Sequence, residues 1–151
     1  MRQALIALVA VALAGPTAVS AQQKDVMALV HQFVEAFNKG DTKGAAAACA
    51  EQTAIIDEFA PHAWQGPGAC VTWMRDYDAD AKKEGITDGV VTLGTPRHVD
   101  VSGDYAYVVI PSDYAFKKQG KPVKETGSMF TLALQRSDAG WRVSGWAWAK
   151  N

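Results

Sequence analysis

The feature that most constrains this chain is a change of hydrophobic period part-way along it. Up to Gly85 the apolar residues recur at helical spacing, and from Ile86 onward they alternate in twos. Val26, Leu29, Val30, Phe33, Val34 and Phe37 stand at i, i+3, i+4, i+7, i+8 and i+11, a single apolar stripe along one long helix. Gly40 stops that helix, and Asp41 caps a short Ala-rich helix running to about Cys49. Thr53 to Asp57 alternate as a strand, with Thr53, Ile55 and Asp57 on one face and Ala54, Ile56 and Glu58 on the other. Phe59 to Gly66 then reads as a loop, and Pro67 as the first residue of a third helix. The inner face of this helix is Cys70, Trp73, Met74, Tyr77 and Ala81, and it ends at Gly85.

The second half reads as an antiparallel meander. Val90 to Val101 is expected to be one long strand bent at Gly94 and Pro96, followed by strands over Tyr105 to Phe116, about Glu125 to Arg136, and Trp141 to Ala149. In the last strand Trp141 and Val143 share one face and Trp146 and Trp148 the other, so a bulge is expected near Gly145. Three N-terminal helices with one short strand, then four long strands, make an α+β fold. The sheet must curl over the first helix, because that helix has one apolar stripe to cover.

The N-terminus carries its own signal. Arg2 precedes an apolar run from Ala4 to Ala14, Gly15-Pro16 follows, and Val19-Ser20-Ala21 is a small-residue cleavage sequence. Residues 1–21 are therefore expected to be a cleaved signal peptide and residues 22–151 one domain, secreted or periplasmic, with no stable membrane insertion, since a bilayer span takes about 20 apolar residues. In an oxidising compartment the only two cysteines, Cys49 and Cys70, are expected to pair; the alternative is two buried free thiols. A formal net charge of −1 with both signs scattered gives no footprint for nucleic acid. His31, His62 and His98 lack metal-ligand spacing, so neither a metal nor another cofactor is expected.

With these elements in order, the chain resembles the nuclear transport factor 2-like superfamily, which includes SnoaL-like polyketide cyclases and ketosteroid isomerases. The resemblance rests on the segment from Phe33 to Asp41, on Ala54 to Gly66, and on Gly140-Trp141-Arg142-Val143. It implies a cone: a strongly curved, mainly antiparallel sheet wrapped over three N-terminal helices. It also puts Asp57 where the ketosteroid isomerase-like pattern keeps a general-base aspartate, nine residues before Gly66. Those isomerases stabilise the enolate with a tyrosine and a protonated aspartic acid. Here Phe33 stands at the tyrosine position, and the strand that would hold the acid offers Met129, Phe130, Thr131 and Leu132. Steroid isomerisation is therefore not assigned. Tyr77, Tyr105, Tyr107, Tyr114, His62, His98 and the indoles of Trp73, Trp146 and Trp148 are the substitute donors available.

Asp57 reads either as a pocket acid or as a strand-end carboxylate bonded to loop amides, and His62 either as its acid/base partner or as a surface loop histidine. Phe33, Phe59, Trp64, Trp73, Tyr77 and Tyr107 are the expected pocket residues, with filling of the core as the alternative for the aromatic set. Trp146 and Trp148 would instead be buried in a homodimer if they lie on the outer face of the sheet. Three functions follow: an exported enzyme of the isomerase, dehydratase or cyclase type, a non-catalytic module binding a small apolar molecule, and a dimeric interaction or assembly module working through the outer sheet face.

Overall fold

The computed structural model describes residues 20–151. The expected signal peptide, apart from Ser20 and Ala21, lies outside the described residues. The first helix, α1 (Ala21–Asn38), opens on a capping box: Ser20 Oγ accepts from the Gln23 amide and the Gln23 side chain accepts from the Ser20 amide. Its stripe residues Val26, Leu29, Val30, Phe33 and Val34 are buried. Gly40 takes a left-handed conformation (φ 65°) that ends the helix, and Asp41 caps α2 (Thr42–Ala48) by accepting from the Gly44 amide.

Strand β1 (Cys49–Ile56) pairs antiparallel with β2 (Ala63–Pro67), and α3 (Ala69–Glu84) follows. The segment expected to be all loop thus ends in a strand, because Trp64 and Gln65 pair with Ile55 and Ala54. Pro67 closes that strand instead of opening the helix; Gly68, at φ 72°, makes the turn into α3. A disulfide between Cys49 and Cys70 ties the start of β1 to the start of α3.

The remaining strands are β3 (Ile86–Leu93), β4 (His98–Ser102), β5 (Tyr105–Lys118), β6 (Lys121–Ser137) and β7 (Gly140–Ala149). They form one seven-stranded, curved and unclosed sheet in the order β2-β1-β7-β6-β5-β3, with β4 also on β5; only β1 and β7 run parallel. The expected single strand from Val90 to Val101 is two strands lying end to end on one edge of β5. Between them the chain touches β5 only through Gly94 N–H to Pro111 O and Arg97 N–H to Val109 O, opposite a proline that has no N–H to return. A Cβ on Gly94 would sit 3.1 Å from Pro111 O, so the glycine permits the close approach. β6 begins at Lys121, earlier than expected, because Gln119-Gly120, both at positive φ, makes a two-residue hairpin turn.

Four register shifts bend the sheet, one of them between β6 and β7 at Ser144. That bulge has a consequence contrary to expectation. By adding one residue it returns Trp146 to the side of the sheet that Val143 faces, so Trp146 is buried against Phe33 and Phe130, and Trp148 packs beside Phe130. Neither tryptophan lies on the outer face. The cone's core sits between α1 and the inward residues of β5, β6 and β7, among them Val108, Ile110, Leu132, Leu134 and Val143.

Candidate functional site

The core leaves a cavity of about 420 Å³ open at one end of the cone. Its walls are aromatic: Phe33 and Phe37 from α1, Phe59 from the β1–β2 connection, Trp73 and Tyr77 from α3, Tyr114 and Phe116 from β5, Phe130 from β6, and Trp146 and Trp148 from β7. Trp73 is the hub of this lining, edge-on to Trp146 at 4.8 Å and stacked on Tyr77 at 5.8 Å between ring centroids.

Asp57 follows directly on the end of β1, where the alternation of Thr53 and Ile55 carries it to the inner face. Its carboxylate has two donors. Oδ1 accepts from the Glu58 amide at 2.7 Å and Oδ2 from the Trp73 indole N–H at 2.8 Å. Burial among the rings pushes the pKa of Asp57 up to about 6, and the two N–H donors only partly offset that push. The charge of Glu58 adds slightly to the rise, and His62 slightly opposes it.

His62 is near Asp57 but meets a different part of it. The turn from Asp57 to His62 is closed by Asp57 N–H to His62 O, and the exposed imidazole places Nδ1 at 3.3 Å from the Asp57 backbone carbonyl, away from the carboxylate. The His62 backbone is left-handed (φ 73°), so its position is set by the turn.

Of the six aromatic residues expected around a pocket, Phe33, Phe59, Trp73 and Tyr77 line the cavity, whereas Trp64 and Tyr107 do not. Trp64 is buried behind Phe59 (ring centroids 4.9 Å apart) and donates Nε1–H to Asp76 at 2.9 Å, fastening β2 to α3. Tyr107 points outward from β5 and is 47% exposed, because the inward parity of that strand belongs to Ala106, Val108, Ile110, Ser112 and Tyr114. The inward tyrosine of β5 is Tyr114, whose hydroxyl makes a short hydrogen bond with that of Tyr77. Burial raises the pKa of both phenols, so both stay protonated at neutral pH.

One ionic bridge at this cavity escaped the reading of the sequence. Lys150 Nζ bridges Glu58 Oε2 (3.0 Å) and Glu125 Oε1 (2.5 Å), crossing the mouth from the last strand to the β1–β2 connection and β6. Nothing local signals this, since Glu125 reaches the mouth only through the register shift that precedes Ser128. Trp146, expected as one of the substitute donors, keeps its Nε1–H buried with no hydrogen-bond partner among the described residues.

The sequence from 26 to 146 matches the model of the SnoaL-like domain. The chain belongs to the SnoaL-like domain family. No curated protein matches it. Solved structures share its fold at low identity. A nuclear transport factor 2-like superfamily protein from Salmonella enterica serovar Typhimurium superposes with a TM-score of 0.73 at 12% identity, covering 88% of this chain and 93% of its own. The hexachlorocyclohexane dehydrochlorinase LinA-type3 from Novosphingobium barchaimii gives 0.72 at 13% identity over 87% of each chain. A ketosteroid isomerase-like protein from Erwinia carotovora atroseptica gives 0.68 at 16%, covering 86% of this chain and 96% of its own. This SnoaL-like chain therefore has the nuclear transport factor 2-like cone, and its chemistry must be argued from its own cavity.

Proposed function

We propose that this SnoaL-like protein is exported, binds a small apolar molecule in the cone, and uses Asp57 for acid–base chemistry of the isomerase, dehydratase or cyclase type. One observation carries the reading: a carboxylate with its pKa pushed up to about 6, held by two N–H donors in an aromatic cavity of about 420 Å³. Such a group is ionised at neutral pH yet basic enough to take a proton from carbon, and an apolar wall is what holds it there. Its electrophilic partner has to differ from that of the isomerases, because Phe33, at the position of their tyrosine, and Phe130, from the strand that would hold their acid, line the cavity without a donor. We assign that part to Trp146, whose ring lines the same wall and whose buried Nε1–H has no partner among the described residues. The dehydrochlorinase among the structural neighbours is named for an elimination, a reaction that also begins with proton removal.

The test uses an enolisable apolar ketone, 1-tetralone, in D2O. The wild-type protein is expected to accelerate exchange of the α-protons with an apparent pKa near 6, and Asp57→Asn to abolish the acceleration. Thermal stabilisation by the ketone without exchange would make the chain a binding module, and neither effect would end the reading. Export is supported by the apolar N-terminal run and by the Cys49–Cys70 disulfide. Mass analysis of secreted material is the check, with a chain starting at Gln22 expected.

A second reading has its own observation. On the outer face of β5, Tyr105 and Tyr107 are 68% and 47% exposed, a surface a second copy of the chain could cover. Sedimentation decides it: a chain that stays monomeric at high concentration has no such interface.

A further inference from the structure

Resting on the reading of the cavity as a ligand site, we propose that its ligand is an apolar molecule carrying an amine, held with the ammonium end toward the mouth, and that carboxylated or phosphorylated molecules are excluded. The argument is one of charge. Five carboxylates face the cavity, Asp57, Glu58, Asp80, Glu84 and Glu125, against two cations, Lys118 and Lys150. Both cations are already committed, Lys118 to Glu84 at 3.0 Å and Lys150 to Glu58 and Glu125. Among the described residues lining the cavity, no cation is left unpaired for an anionic ligand, and five carboxylates against two cations leave a formal excess of three negative charges that repels one.

The unspent capacity is on the acceptor side. Asp80 has no ion pair or hydrogen bond among the described residues, Asp57 is met only by neutral N–H groups, and Glu125 Oε2 is buried without a donor. These groups surround the Tyr77–Tyr114 hydroxyl pair. Asp80 stands one helical turn beyond Tyr77, and Glu125 is the cross-strand partner of Tyr114. After burial, which dominates, and the hydrogen bond between the two phenols, which favours ionisation of Tyr77 and disfavours that of Tyr114, the charges of Asp78, Asp57 and Asp80 disfavour ionisation of Tyr77, and those of Glu125 and Glu58 that of Tyr114. The carboxylates around the phenol pair therefore make the local potential negative. A primary ammonium has three donors for such a ring of oxygens, and the faces of Tyr77, Trp73 and Phe37 attract a cation that approaches them. The apolar body of the ligand then lies deeper, against Phe33, Phe130 and Trp146, and Asp57 stays free for chemistry.

Three probes that share one ring system separate the terms: 2-naphthylmethylamine, 2-naphthylmethanol and 2-naphthoate, titrated calorimetrically into the disulfide-intact protein at neutral pH. The amine is expected to bind about tenfold more tightly than the alcohol, and the carboxylate at least about tenfold more weakly than the alcohol. If the alcohol binds but the amine gains nothing over it, or the carboxylate equals it, the amine proposal falls and the cavity remains a ligand site. If none of the three binds, the ligand-site reading itself falls and takes the proposal with it. In Asp80→Asn the amine-to-alcohol affinity ratio is expected to drop several-fold, and an unchanged ratio overturns the placement of the ammonium at the mouth.

Discussion

Trp73, in the second turn of α3, donates its indole N–H to Oδ2 of Asp57 at 2.8 Å, although sixteen positions separate the two residues. The bond crosses from helix to strand end in the wall of an aromatic cavity, and it couples the packing of the cone to the ionisation of its acid. Trp73 thereby serves both readings that the sequence left open for it. It is buried core by its area and a cavity wall by its face.

The acid carries a cost to stability whose sign is fixed. Folding raises the Asp57 pKa from 3.8 to about 6, so the folded state holds its proton more tightly than the unfolded state. Below about pH 4 the carboxyl is protonated in both, and stability is unaffected. As pH climbs from about 4 to about 6 the unfolded chain ionises first and stability falls, by about 3 kcal/mol at most. Asp57→Asn is therefore expected to stabilise the protein at pH 7.5 by about 1–3 kcal/mol, with the gain shrinking to nothing near pH 4. Urea melts of the two proteins across that range check it, and a loss of stability at pH 7.5 would contradict the burial of the charge.

Trp73→Phe separates the indole donor from the ring. Its N–H favours the charged carboxylate, so removing it is expected to move the Asp57 titration midpoint above 6, read directly by carboxyl carbon NMR. Exchange or turnover that depends on ionised Asp57 shifts to higher pH in parallel. A midpoint that stays put while the protein merely loses stability would reduce Trp73 to packing.

The Cys49–Cys70 bridge closes a span of 21 positions between β1 and α3. A loop of that size stabilises by about 3 kcal/mol in the chain-entropy picture. Replacing both cysteines with serine is expected to lower stability by that order, with the mouth of the cavity, on the far ends of β1 and α3, retaining its shape. Denaturant melts with and without reductant measure the loss, and two titratable thiols in exported protein would rule the bridge out.

How far the sequence reached is clear from particular residues. The α1 stripe, the change of period at Ile86 and the position of Asp57 at a strand end were all legible, because each depends on local periodicity and on burial of one face. Parity across irregular backbone was not. In β5 the run Tyr105-Ala106-Tyr107-Val108 is apolar on both faces, so nothing in it says that Tyr107 points out; of the strand's aromatic residues, Tyr114 and Phe116, beyond Pro111, share the inward parity of Val108 and Ile110. In β7 the expected bulge occurs, at Ser144, but its effect on Trp146 depends on which residue is doubled, and that is set by pairing with Ala133 and Leu134. Lys150 bridging Glu58 and Glu125 is a meeting of three segments, which no local pattern encodes.

At the N-terminus the structure stands in opposition to the proposed cleavage. Ser20 caps α1 by a reciprocal capping box with Gln23, yet cleavage after Ala21 would remove Ser20 and Ala21 and leave the first helical amides without that acceptor. Gln23 keeps a second anchor, donating its side-chain amide to Val99 O at 2.6 Å, and Val26 is fully buried, so the helix from Val26 onward has no need of the cap. A chain beginning at Gln22 is therefore expected to fold with a frayed first turn and to be about 1 kcal/mol less stable than one that begins just before Ser20. Hydrogen exchange should localise the difference to the amides preceding Val26. Equal stability of the two chains would show that the anchor to Val99 already holds the turn, and protection lost beyond Leu29 would show that the cap holds more of α1 than its first turn.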